Sequence, residues 1–177
     1  MRNDQYVIPG PPVLLPLGVL IMVISFLVLR RRGELTMTRL LVTWLAGWYA
    51  VAVLGATLLP LHLSFGGDPQ LFRINPFPLT HVRPRDSLLN VVMTLPFAAV
   101  LHVVFGIRDK MRVIRLGFLM SLAIELTQGV LILTVHDNRW AEANDLIANT
   151  LGVYLGFVAF QWLLRLPLLR RVVKDAV

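Results

Sequence analysis

Cysteine is absent from all 177 residues, which excludes disulfides, thiolate metal ligands and a cysteine nucleophile, and removes cysteine usage as a guide to compartment. Charge is scarce too. Asp, Glu, Lys and Arg make up 15% of the chain against 56% hydrophobic residues, and the mean hydropathy of +0.72 lies well above that of a soluble globular domain. No stretch is low in complexity and no solenoid-type repeat recurs. No G-x-S-x-G, phosphate-binding loop or dinucleotide fingerprint occurs, so familiar soluble catalytic frameworks are missing and no cofactor is expected. His62, His81 and His136 show no ligand spacing such as H-x3-H, so no metal is expected either.

What is present is a set of five long apolar runs, at 13–29, 40–59, 88–106, 114–135 and 146–164. At about 1.5 Å per helical residue each is long enough, or nearly so for the first, to cross a hydrocarbon core of about 30 Å. The first run follows Pro9-Gly10-Pro11-Pro12 and precedes Arg30-Arg31-Arg32. A cleaved signal peptide has its charge before the run and small residues after it, so the reversed order predicts a retained anchor helix.

The net charge of +7 would suggest nucleic acid in a soluble chain, but the cations cluster at the ends of the apolar runs, and no nucleic-acid partner is expected. Twelve (Arg30, Arg31, Arg32, Arg39, Arg108, Lys110, Arg112, Arg115, Arg165, Arg170, Arg171, Lys174) fall on one side of a five-span topology. Five (Arg2, Arg73, Arg83, Arg85, Arg139) fall on the other. The richer side is cytoplasmic by the positive-inside rule, so the N-terminus is expected outside and the C-terminus inside. The segment 61–86 and the loop 136–144 then face the outer compartment. Gly66-Gly67-Asp68-Pro69 and Asn75-Pro76-Phe77-Pro78 rule out a long regular element in the first of these, which is expected on or within the bilayer surface.

Polar residues inside the last two runs carry the functional signal. Ser121, Glu125 and Gln128 share one helix face at i, i+4 and i+7; Asp145, Asn149, Gly152 and Gly156 share another at i, i+4, i+7 and i+11. Helices joined by a short loop run antiparallel, so the two faces can meet near that loop. Intramembrane carboxylates are costly and suggest function. Glu125 reads either as a proton acceptor or substrate-orienting carboxylate, or as an interhelical hydrogen-bond clamp to Asn90 or Asn149. Asp145 reads as a helix cap, or as a partner of Arg139. Arg139 could equally hold a phosphate by its planar fork. Ser87, Asn90 and Thr94 recur on one face of the third run, and Pro96 is expected to kink it. Gly152 and Gly156 form GxxxG, which permits close helix packing.

These blocks carry a family resemblance. Arg73-Ile-Asn75-Pro76-Phe77, then Asn90 with Pro96-Phe97, then Ser121-x3-Glu125-Leu-Thr-Gln128, then Arg139-x2-Glu142-x-Asn144-Asp145-x3-Asn149-Thr150-Leu151-Gly152-x3-Gly156 stand in order over about residues 40–165. Over that stretch the chain resembles the VanZ-like family of small bacterial membrane proteins. Glu142 and Asn144 stand where aspartates are expected, leaving Asp145 as the only aspartate of its block. The resemblance implies a bacterial cell-membrane location and a founding member that accompanies glycopeptide resistance clusters and lowers susceptibility to teicoplanin.

The expected fold is an all-α, polytopic membrane bundle of about five spans, with a long extracytoplasmic segment between the second and third. Residues 1–39 form an anchor helix and basic turn, 40–165 the VanZ-like domain and 166–177 a basic cytoplasmic tail. The expected function is to bind or shield an anionic envelope lipid or lipid-linked cell-wall precursor. Arg73, Asn75, Asn90, Gln128, Arg139 and Asn149 would receive the head group. The alternatives are a membrane enzyme using Glu125 or Asp145 as acid or base on that head group, and a small-solute transporter. The transporter needs access from both sides, yet the cytoplasmic halves of the last three spans carry almost no polar group besides His102.

Overall fold

Prolines at the head of an apolar run supply the φ of a first helical turn without leaving an extra donor unpaired, and α1 (Gly10–Arg31) begins there, with Arg30 and Arg31 in its last turn. The structure is a computed structural model that describes residues 5–64 and 70–176; the turn expected at 66–69 and the cation Arg2 lie outside the described residues. Thr36 accepts the Arg39 N–H at 3.2 Å and caps α2 (Met37–Leu58).

Helices α1 and α2 form an antiparallel hairpin. The Trp48 ring lies where a Cβ on Gly18 would stand, Ile21 does the same at Gly47, and Leu14 at Gly55. The Trp44 indole N–H closes the pairing on the Met22 carbonyl at 3.2 Å. The hairpin brings both its free ends together, so β1 (Gln5–Ile8) pairs antiparallel with β2 (Leu61–Ser64).

The third span, Pro84–Phe105, is long and apolar enough to cross a membrane but is two helices, α3 (Pro84–Thr94) and α4 (Phe97–Phe105), divided at Pro96. Proline cannot donate into the helical ladder, and the regular helix is interrupted there, although Leu95 and Pro96 both keep helical dihedrals. Asp109 accepts the Arg112 N–H at 2.8 Å to start α5 (Lys110–Val135), which ends on His136 at φ 52°. Helix α6 (Ala143–Leu163) follows.

The interior of the bundle is α6, on which α3, α4 and α5 all pack. Gly152 and Gly156 explain how: a Cβ on Gly152 would lie 2.1 Å from Thr94 Oγ1 and 2.4 Å from the Val91 carbonyl, and one on Gly156 would lie 2.0 Å from the Leu95 carbonyl. The expected GxxxG packing therefore has its partner in the third span, whose backbone rests directly on the glycines. Ala98, Leu101, Val113 and Val153 form the buried apolar cluster beside this contact.

The five candidate spans α1, α2, α3–α4, α5 and α6 match the expected polytopic helical bundle. Residues 167–176, expected as a basic tail, form a further amphipathic helix, α7 (Pro167–Ala176), which packs on α2 and α4. Between α2 and α3 the chain carries β2, a single 3-10 turn at Leu71–Arg73 and β3 (Ile74–Asn75). Strand β3 pairs in parallel with β4 (Ala141–Glu142), in the loop between α5 and α6.

Candidate functional site

The i, i+4, i+7 face of α5 and the matching face of α6 meet below the β4 loop, as antiparallel neighbours must. Between them, with α2 and α3 completing the walls, lies a cavity of about 570 Å³. Six of the sequence-predicted residues line it: Asn90, Glu125, Gln128, Arg139, Asp145 and Asn149. The cavity also takes in Arg83, Asp86, Thr57 and Trp140.

Several of the polar side chains have definite partners. Glu125 accepts the backbone N–H of Glu142 at 2.8 Å, so its clamp holds β4 rather than Asn90 or Asn149. Asp145, in the first turn of α6, lines the cavity with Asn90. The residue at the cap position is Glu142, whose side chain makes no capping bond. Gln128 donates from Nε2 to the Thr57 carbonyl at 2.8 Å. Asn149 donates from Nδ2 to Ser121 Oγ at 2.9 Å, and its own carbonyl accepts Thr94 Oγ1–H at 2.9 Å.

What these bonds leave over matters more. Gln128 Oε1 and Asn149 Oδ1 are buried acceptors with no partner among the described residues. A buried unpaired acceptor costs about 1–3 kcal/mol. The two residues that carry these oxygens line the cavity together with Glu125 and Asp145.

Arg139 turns away from Asp145. Its NH1 donates to the Ala56 carbonyl at 3.0 Å and its NH2 to the Leu59 carbonyl, so it closes the C-terminal end of α2. Burial pushes this guanidinium below its usual range while the carboxylate of Asp137, 3.9 Å from Nε, pushes it back up. Asp137 is wholly buried and accepts the N–H groups of His62 at 3.1 Å and of Asn138 at 2.9 Å.

Arg73 and Asn75 are outside the cavity. Arg73 donates to the Asn138 carbonyl and to the Gln70 side chain, and lies over the rings of Phe72 and Trp140. Asn75 knots its own turn, accepting the Phe77 N–H at 3.2 Å and donating to Thr80 Oγ1 at 3.1 Å. It borders a neighbouring hollow of about 480 Å³ that shares Arg83 and Trp140 with the main cavity. Arg83 pairs with Glu142, lies 3.4 Å from Asp86, and stacks over Trp140 at 4.6 Å. Trp140 went unnoticed in the sequence; its place immediately after Arg139 was the available signal.

The two departures in the last motif block have structural reasons. Glu142 neutralises Arg83 while its backbone N–H serves Glu125. Asn144 accepts the Leu79 N–H at 2.7 Å and donates to the Thr80 carbonyl at 2.8 Å, a two-way clamp that an aspartate, as an acceptor only, does not make. Among the described residues no three His, Asp or Glu side chains converge as a metal site requires.

A family model described as VanZ/LLP1 matches residues 14–165. No curated protein and no solved structure matches the chain.

Proposed function

The chain belongs to the VanZ/LLP1 family, and from that premise we propose that it is a multi-pass membrane protein that receives the phosphate-bearing head group of an envelope lipid or lipid-linked cell-wall precursor at the outer leaflet. The observation that carries this reading is a cavity inside an apolar bundle whose lining joins Glu125 and Asp145 to Gln128 and Asn149, the two residues with unpartnered buried oxygens. Their missing partners are donors, which hydroxyl or amine groups of a head group supply.

The arginines narrow the reading. Arg73 and Arg139 spend donors on backbone carbonyls, so the phosphate would bind at Arg83, which lines the cavity, sharing its guanidinium with Glu142 and Asp86, with the exposed Arg85 two residues along. Beside the cavity, an apolar groove of about 370 Å³ runs between α5 and α6 and shares Glu125 with it. Head group and acyl chain thus have adjoining places. A protein that held a cell-wall precursor in this way would shield it, which is the proposed link to teicoplanin susceptibility.

A membrane enzyme is the second reading, favoured by one observation: Glu125 and Asp145 line the same cavity. One would accept a proton from the bound head group and the other would return it. Mass spectrometry of lipids retained on purified protein tests both. Binding predicts a phosphate-bearing lipid that is retained by wild type and lost from Arg83→Gln; equal retention in the two would end the lipid reading. Turnover predicts that Asp145→Asn keeps the lipid and stops its modification.

A further inference from the structure

At the opposite end of the bundle, where α4 ends and α5 starts, a second cavity of about 460 Å³ lies beneath α7, lined by His102, Arg108, Leu164, Arg170, Val173 and Lys174. We infer that it is a binding site for a phosphate-type anion, separate from the cavity between α5 and α6 and independent of the function proposed for that cavity.

The chain builds this place from three elements. Gly106 takes φ 66° after α4, and the Ile107 N–H returns to the Leu101 carbonyl at 3.0 Å, a reversal that sets Arg108 beside the end of α4. In α7, Arg170, Val173 and Lys174 recur at i, i+3 and i+4, so they share one face. Val173 is buried on the bundle, which fixes that face toward the cavity. His102, on α4, is 8% exposed, stacks edge-on against Phe160 with ring centroids 5.2 Å apart, and forms the cavity's inner wall.

Charge and hydrogen bonding then point the same way. Arg108, Arg170 and Lys174 surround the space, and among the described residues none of them has an ion pair. The two carboxylates nearest in sequence are directed elsewhere. Asp109 caps α5 through the Arg112 N–H, and Asp175, four residues after Arg171, lies on that residue's face of α7. Three like charges held around one cavity repel, and an anion removes that cost. His102 Nδ1 is buried and without a partner among the described residues, an additional group for a phosphate oxygen or hydroxyl. Topogenic arginines need only lie on one side of a membrane; they do not need a shared cavity with an unsatisfied imidazole in its wall.

The ligand chemistry is a phosphate anion, supplied either as the ester of a lipid head group of the adjacent leaflet or as free phosphate. Full-length protein in detergent is titrated with short-chain phosphatidylglycerol and, separately, with inorganic phosphate, and bound ligand is read by native mass spectrometry and by the thermal midpoint. Wild type should bind at least one of the two. The double substitution Arg170→Gln with Lys174→Gln should weaken that binding by about tenfold or more, since each lost charge-assisted bond is worth about a factor of ten. Arg171→Gln, on α7 but outside the cavity lining, should leave it unchanged. A response to lipid alone identifies a head-group site; a response to inorganic phosphate as well identifies a free-anion site. Arg108→Gln, on a separate element, should repeat the loss should the α7 variant fail to fold. Absence of binding by both probes, or equal affinity in wild type and the α7 and Arg108 variants, would overturn the inference.

Discussion

The carboxylate of Glu125 accepts the backbone N–H of Glu142 at 2.8 Å, so the acid set deepest in an apolar helix is also the anchor of the short β3–β4 pairing above it. One residue thereby links the intramembrane cavity to the segment between α2 and α3. Through Glu142 the link continues to Arg83 and Trp140 at the cavity mouth.

Substitutions at Glu125 should separate anchoring from chemistry. Glu125→Gln keeps a carbonyl oxygen for the Glu142 N–H and should stay within about 1 kcal/mol of wild type, whereas Glu125→Ala leaves that N–H unpaired and should lose about 1–3 kcal/mol. Thermal unfolding in detergent measures both. A Glu125→Gln variant as unstable as Glu125→Ala would show that the charge, rather than the hydrogen bond, holds β4.

The glycines of α6 should report packing alone. A Cβ at Gly156 would lie 2.0 Å from backbone at Leu95, and helix backbone cannot yield as a flexible side chain can. Gly156→Leu and Gly152→Leu should each cost at least about 1–3 kcal/mol, with Gly→Ala at either site already destabilising. Thermal midpoints of the four variants decide it. Wild-type stability together with lost lipid retention would mean instead that these positions line the ligand site.

The helical part of the site was legible because its signal is periodic. Glu125 and Gln128, Asp145 and Asn149 are spaced for one face each, and two antiparallel helices have few ways to bring such faces together. The connections were not legible, because their partners are set by tertiary closure. Arg139 bonds the carbonyls of Ala56 and Leu59, some eighty positions earlier in the chain, and nothing local in Arg139-Trp140 marks a helix end that distant. Asp137 looked like a loop acid yet is wholly buried because β2 folds over it. Strands β3 and β4 span two residues each, too short for an alternating pattern. Helix α7 read as a tail because its apolar positions are few and broken by Arg170, Arg171 and Lys174.

Orientation is testable without background, since the chain has no cysteine. The split of twelve cations against five predicts that single cysteines at the exposed positions Val82 and Asn138 react with an impermeant thiol reagent on intact cells, and that Lys110 and Asp175 replacements do not. Labelling at Lys110→Cys, with Val82→Cys silent, would invert the topology.

Arg139 and Asp137 should behave as a unit of the fold. The guanidinium serves two carbonyls at the end of α2 and lies 3.9 Å from a carboxylate that is wholly buried. Removing one member of this pair, of which only Asp137 is wholly buried, leaves the other without its partner, at a cost of about 1–3 kcal/mol. Arg139→Ala and Asp137→Asn should therefore each lower the thermal midpoint strongly. The double variant should lose less than the two losses added together, because neither charge is then left alone. Lipid retention measured on the same samples separates this from direct ligand binding. Arg139→Ala should shed lipid only as it unfolds; if it stays as stable as wild type and the lipid is gone, the guanidinium holds the head group.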